Sequence, residues 1–344
     1  MGSERVSDEF GERIGDRYEV IAELARGGSS IVYRGFDHDA GQPVAIKVLR
    51  DSYAGREDFG VRMVREFRAM RLLRGTSAVT AHALAVSKAG ALCLIMELLE
   101  GLDLDDYMAR VELSQQQMEA QHVVELLDPV VATLERGHEL GIIHRDLKPG
   151  NIFVVGAGRA EGSGAYCFAP VQAQQAGGAA VARALVRSEP AATQQGQALR
   201  HSVRLLDYGF CRALDTRSIT PDGTVLGSPS YIPPEVWRGK ASQTDPAGDV
   251  YSLGAIVFRL LSGQVPFEAG TLRERLQLVC DGERPSLHAL RPDLPLAIDE
   301  WVRQVLAISP AHRFRRVSAM WSAFQHAVGL PSAPAISTLQ VAVQ

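Results

Sequence analysis

An acid, a lysine two positions on and an amide three further stand together at Asp146, Lys148 and Asn151, within His144-Arg145-Asp146-Leu147-Lys148-Pro149-Gly150-Asn151. The acid can take a proton from a hydroxyl, the ammonium can spread charge over phosphoryl oxygens, and the amide oxygen is a hard ligand for a divalent cation. Together they suit transfer of a phosphoryl group. A second hard ligand follows in Asp207-Tyr208-Gly209. Lys47 completes the set: it lies inside the apolar stretch Pro43 to Leu49, where an ammonium is costly to bury unless a carboxylate or a phosphate meets it. Glu66 is the acid placed to do so.

The elements that must position these groups are legible as periodicities. Tyr18 to Leu24, Ile31 to Phe36 and Pro43 to Leu49 read as three strands of an antiparallel meander, joined by Ala25 to Ser30 and by a turn at Asp37 to Gln42. From Glu57 to Arg74, Phe59, Met63, Phe67 and Met70 recur every three or four positions, which predicts a helix with Glu66 beside its packed face and Gly75 as its stop. Leu92 to Leu99 is another strand. The pattern breaks at Glu100-Gly101, before the polar run Asp103 to Asp106, and this marks a boundary between lobes. Ser114 with Gln117 has capping-box spacing and predicts a helix from there toward His138, kinked or restarted at Pro129. Asp249 opens an apolar helix to Leu261, stopped by Gly263, and Leu272 to Val328 reads as further helices.

In this order the motifs resemble those of protein kinases, and Lys148-Pro149 resembles the serine/threonine branch. The phrasing from Asp249 to Phe267 looks like the bacterial members of the eukaryotic-like (Hanks-type) group. The resemblance covers roughly Asp16 to Val328. It implies an α+β, two-lobed fold, with a small antiparallel-sheet N-lobe over 16–99 and a mainly helical C-lobe over 100–328, between a flexible lead-in at 1–15 and a flexible tail at 329–344. By the same resemblance, ATP is a substrate and Mg²⁺ is held by Asn151 and Asp207. Asp146 orients the acceptor hydroxyl and takes its proton, Lys148 stabilises charge in transfer, and Lys47 is held to the phosphates by Glu66. Gly27 covers the phosphates. Leu24, Val32, Ala45 and Phe153 wall the adenine, Met96 is the gatekeeper, the Glu97 carbonyl and Leu99 N–H meet the adenine edge, and Asp103 meets the ribose. Glu235 with Arg313 forms a buried ion pair, Asp249 holds the backbone of the catalytic loop, and Arg145 pairs with a phosphate on Thr216, Ser218, Thr220 or Thr224. Ser228, within Gly227 to Glu235, faces Asp146 and Lys148.

This sequence departs from that pattern in several places, Ser228 in place of a threonine and Pro233 in place of an alanine among them. Ala25 and Ser30 stand where glycines are usual, and Tyr208 replaces a phenylalanine, adding a hydroxyl that needs a partner. Between Val155 and Val203 about forty residues replace a short turn, so 156–202, rich in Ala, Gly and Gln, reads as a low-complexity insertion. These departures motivate an alternative, a nucleotide-binding pseudokinase scaffold; retention of Lys47, Glu66, Asp146, Asn151 and Asp207 argues against it. Arg145 and the Gly227 to Glu235 platform favour a protein acceptor over a small molecule.

Composition sets outer bounds. A chain of 344 residues is long enough for two lobes, and 22% charged residues, 46% apolar residues and a net charge of −4 describe a soluble globular chain without nucleic acid as an evident partner. The longest apolar stretch, Val250 to Leu261, is interrupted by Ser252 and Arg259 and is too short to span a membrane. Cys93, Cys167, Cys211 and Cys280 lack paired spacing, which points to reduced thiols and a cytoplasmic setting. The partners expected are ATP, proteins with Ser/Thr acceptors and, for autophosphorylation, a transient homodimer.

Overall fold

Period-two alternation builds the upper layer. β1 (Arg13–Ile14), β2 (Tyr18–Arg26), β3 (Ser30–Asp37), β4 (Gln42–Leu49), β5 (Ala81–Val86) and β6 (Leu92–Glu97) form one antiparallel sheet in the order β1-β2-β3-β4-β6-β5. This computed structural model describes residues 13–27, 30–50, 57–114, 117–157, 202–208, 229–239 and 245–331. Alternation on β4 decides the site: Val44, Ile46 and Val48 join the outer core with Tyr18, Val20, Ile31 and Tyr33, whereas Ala45 faces the inner one. Lys47 shares the Ala45 face, with Val32 and Leu94 as its neighbours in register. Arg13 and Ile14, assigned by sequence to the loose lead-in, instead pair with β2, and Ile14 is buried. Helix α1 (Glu57–Leu72) packs against β5 and β6, burying Met63, Glu66, Ala69 and Met70. The chain then turns through Gly75 in the left-handed region, φ 88°.

Ser114 does not open a helix. Gly101 opens a short strand, β7 (Gly101–Asp103), and the polar run from Asp103 leads into α2 (Leu104–Leu113), whose first turn is capped by the Asp103 carboxylate accepting from the Asp106 N–H at 2.9 Å. Ser114 closes α2: its N–H reaches back to the Arg110 and Val111 carbonyls and its hydroxyl donates to Val111 O at 2.6 Å. A short hydroxyl side chain serves either end of a helix, and burial of Leu104 and Met108 decided which. α3 (Ala120–Glu139) starts later, without a side-chain cap, and runs through Pro129 as one helix.

Around α3, β8 (Ile152–Val155) pairs with β7 and with β9 (Val203–Leu205). The long insertion therefore leaves and re-enters at adjacent points, the Val155 N–H donating to Ser202 O at 2.8 Å. Residues 158–201 lie outside the described ones. The lower lobe is completed by α4 (Pro234–Trp237), α5 (Pro246–Ser262), α6 (Leu272–Asp281), α7 (Leu287–Leu290), α8 (Ala297–Val305) and α9 (Val317–Ala327). α5 starts three residues before the expected Asp249 because Asp245 caps it through the Ala247 N–H at 2.9 Å. It is buried over almost its whole length and ends at Gly263 with φ 73°. The fold is α+β in two lobes, and one continuous apolar cluster runs from Ala45 and Met70 above to Val250 and Phe324 below. Among the described residues no helix is long and apolar enough to cross a membrane.

Candidate active site

Three sequence-selected charges meet beneath the sheet. The Lys47 ammonium donates to Glu66 Oε1 at 2.8 Å and to Asp207 Oδ1 at 2.6 Å. β4 supplies the lysine, α1 the glutamate and the segment after β9 the aspartate, so the contact bridges both lobes. Glu66 is 1% exposed, and this burial pushes its carboxyl up to about 7 despite the neighbouring ammonium. At Asp207 the balance falls the other way. Enclosure alone would raise its carboxyl, but the Lys47 ammonium, aided by Lys148, outweighs that and holds it at about 2. Its side chain is still 49% exposed, so it faces open space as well as the lysine.

The polar loop after α3 is held from below. Asp249, buried on α5, accepts from the backbone N–H groups of His144 and Arg145, both at 2.9 Å, and from His138 Nε2 at 2.7 Å. Burial opposes its ionisation, and the His138 bond together with the backbone donors reverses this, lowering its carboxyl below the ordinary value. Arg145 sits at φ 66° and Asp207 at φ 45°, conformations that non-glycine residues adopt only when held. Asp207 is held by its neighbour: Leu206 N–H donates to Asn151 O at 2.8 Å, and the Leu206 carbonyl meets His144 Nε2 at 2.9 Å. The loop and the Asp207 segment are thereby one unit. Within it, Asp146 Oδ2 accepts from Lys148 Nζ at 3.0 Å and from Asn151 Nδ2 at 3.2 Å, while Nδ2 also donates to the Asp146 carbonyl at 2.7 Å. With its NH₂ so committed, Asn151 presents its carbonyl oxygen as the group for a ligand.

The residues expected around adenine are partly gathered. Ala45, Met96, Leu99 and Phe153 lie in the inner apolar cluster, with Val32 packed on it; Leu24, on β2, is half-buried outside that cluster. Ala45 and Met96 are register partners. Glu97 spends its N–H on Thr80 O and its carboxylate on the Thr80 N–H at 2.7 Å and on Arg204 Nε at 3.3 Å. Asp103, read as a ribose contact, caps α2. Burial, with Asp106 and Asp105 nearby, raises its carboxyl to about 6 even though the cap opposes the shift. Gly27 closes the β2–β3 hairpin, its N–H donating to Ser30 O at 2.8 Å.

Glu235 and Arg313 form a bidentate pair at 3.0 and 2.7 Å, with the guanidinium also on the carbonyls of Ala247, Ala307 and Ile308. The Tyr208 ring is buried at 5.1 Å from that of His144, and its hydroxyl finds no partner among the described residues. Gly209, Thr216, Ser218, Thr220, Thr224 and Ser228 lie outside the described residues. Two positioning groups escaped the sequence reading. His138, in the last turn of α3, reaches Asp249, and Arg259 on α5 donates to Asp105 Oδ1 at 2.8 Å and to the Tyr231 hydroxyl at 2.9 Å. Neither has a local signal. Their partners are 111, 154 and 28 positions away.

Comparison with known proteins agrees with this geometry. The family described as "Protein kinase domain" matches residues 18–324. The serine/threonine-protein kinase PknL of Mycobacterium tuberculosis is 31% identical over 304 residues, 88% of this chain and 64% of PknL. The probable serine/threonine-protein kinase PknB of Lactococcus lactis is 27% identical over 317 residues, 91% of this chain and 42% of PknB. The chain thus spans less than two thirds of the length of these relatives. In three dimensions it is similar to the PknI kinase domain of Mycobacterium tuberculosis, with a TM-score of 0.61 at 21% identity over 92% of this chain and 98% of that one.

Proposed function

The chain belongs to the protein kinase family, and from that premise we propose that it transfers the γ-phosphoryl group of ATP to serine and threonine hydroxyls of proteins, its own activation segment among them. The observation that carries this reading is the meeting of Lys47 with Glu66 and Asp207, on a segment tied through Leu206 to the loop bearing Asp146. A scaffold that had abandoned catalysis has no need of all five groups in one cleft.

Each group has a role set by its chemistry. Lys47, fixed by Glu66, binds phosphate oxygens. Asp146, its Oδ2 oriented by Lys148 and Asn151, aims the acceptor hydroxyl and takes its proton late in transfer, while Lys148 offsets charge growing on the phosphoryl oxygens. Asn151 and Asp207 offer carbonyl and carboxylate oxygens, a donor set that fits Mg²⁺. Bound there, the ion would neutralise charge between the phosphates. Ala45, Met96, Leu99, Val32 and Phe153 form the apolar walls for adenine, with Leu24 closing from β2, Gly27 above the phosphates, the Glu97 and Leu99 backbone at the base edge and Asp103 toward the ribose. Its lobes divide at 99/100, with the insertion at 156–202 outside the catalytic unit. The buried free thiols Cys93 and Cys280 suit a cytoplasmic setting, and a transient homodimer serves autophosphorylation. Incubation with γ-labelled ATP tests the proposal: label on the wild type but on neither Asp146→Asn nor Lys47→Met is expected. Equal labelling of all three overturns it.

A further inference from the structure

Helix α1 and the turn after it carry an arginine at every third position from Arg62 to Arg74, and no lysine. Met63, Glu66, Ala69 and Met70 take the inner face, and Arg65, Arg68, Arg71 and Arg74 are exposed. Three residues advance a helix by about 4.5 Å and rotate it back by about 60°, so the guanidinium groups fan obliquely over the outer face. None of these four makes an ion pair or a side-chain hydrogen bond among the described residues. Several exposed arginines elsewhere are matched, Arg17 with Asp37, Arg136 with Glu139, Arg238 with Asp281 and Arg303 with Glu300. Those that are not matched among the described residues, Arg13, Arg110, Arg145, Arg273 and Arg315, stand apart from one another on different segments, whereas this helix and its turn gather four. On α1 the acids are Glu57 and Asp58 in the first turn and Glu66, which is turned inward to Lys47. A chain of net charge −4 therefore concentrates unmatched positive charge on one helix face.

We propose that the outer face of α1 is a docking surface for an acidic segment of a partner protein. Charge complementarity sets the occupant's sign, and arginine's planar fork suits carboxylates, which it meets in paired hydrogen bonds. Repulsion between like charges one turn apart weakens the helix until an anion neutralises them. An acidic occupant thus firms the element that delivers Glu66 to Lys47, which couples this surface to the cleft without touching it. A membrane surface fits less well. The exposed large apolar side chains of this face, Val61 and Leu72, sit at opposite ends of the helix and offer no continuous stripe for insertion. Nucleic acid fits less well because the chain as a whole is acidic, with a net charge of −4, where a nucleic-acid-binding domain is strongly basic.

The test uses the full chain and a fluorescein-labelled oligo-glutamate peptide, read by fluorescence anisotropy beside oligo-uridylate and phosphatidylglycerol vesicles. Wild type binds oligo-glutamate, R65K/R68K/R71K retains binding, and R65E/R68E/R71E weakens it by about tenfold or more as the attraction reverses. If the glutamate variant fails to fold, R65Q/R68Q/R71Q makes the same comparison. No oligo-glutamate binding by wild type, binding unchanged in the folded variants, or arginine-dependent binding of vesicles or oligo-uridylate in place of the peptide overturns the proposal. Bound peptide also slows amide exchange along α1; unchanged exchange overturns the coupling to Glu66. Both readouts are independent of phosphoryl transfer.

Discussion

Replacing Asp249 by asparagine keeps the side chain's shape and removes its charge at the point where the fold grips the chemistry. The carboxylate is 1% exposed and divides three donors between its oxygens, Arg145 N–H on Oδ1 and His144 N–H with His138 Nε2 on Oδ2. Asparagine has one acceptor oxygen. Kept on the side of the two histidines, it turns its NH₂ against the Arg145 N–H, leaving a buried donor facing a donor and two other bonds without charge assistance, a loss of about 2–4 kcal/mol. The unmatched donor belongs to Arg145, whose φ of 66° is held in place by that bond. Release of the loop should reach Asp146 next door. If about 2 kcal/mol of the loss is felt there, the competent population falls roughly 30-fold. Denaturant unfolding should therefore show a stability loss of about 2–4 kcal/mol, and kcat for an acceptor protein should drop about 30-fold while KM for ATP moves less than about twofold, since Lys47 and Glu66 are untouched. A folded Asp249→Asn chain with wild-type kcat refutes the reasoning.

Further expectations follow from the same contacts. Glu66 is lifted from 4.5 to about 7 by burial, so its ion pair with Lys47 is completed only as pH rises through about 7. kcat/KM for ATP should climb over that window and Glu66→Gln should flatten the climb; a profile unaltered by the substitution refutes it. Stability runs the opposite way, because the folded chain keeps a proton the unfolded chain has released: this group's contribution is present below 4.5 and is lost as pH approaches about 7. Arg313→Met strands the Glu235 carboxylate and three carbonyls in the lower lobe and should lower unfolding free energy by about 3–5 kcal/mol, whereas a loss under about 1 kcal/mol would show that the pair is not needed. Tyr208→Phe removes a buried hydroxyl that has no partner among the described residues. It should stabilise the chain by about 1 kcal/mol in guanidinium unfolding, and a comparable destabilisation would reveal a hidden acceptor.

Much of the site could be read before any coordinates. Lys47 in an apolar strand, Glu66 beside an apolar helix face and the spacing of Asp146, Lys148 and Asn151 are local facts, and local facts survive folding when their period matches the element that forms. Ser114 shows the opposite case. Its hydroxyl and the Gln117 that follows satisfy the rule for a helix start, yet burial of Leu104 and Met108 on the preceding turns made α2 and left Ser114 as its end. The acids Asp103 to Asp106 looked like a break in pattern and proved to be a cap and a first turn.

Sequence alone determined which reactive groups the chain carries, because residue type and short spacing are written into it: the carboxylates, ammonium groups and amide proposed to act in transfer all lie in short motifs. Tertiary structure alone decided how those motifs are held. The grip of Asp249 on the loop, the arrival of His138 and Arg259 at their partners, and the return of the chain from Val155 to Ser202 beside its own start each join residues far apart in the chain. Such contacts follow from packing against a shared core, and no periodicity along the chain records them.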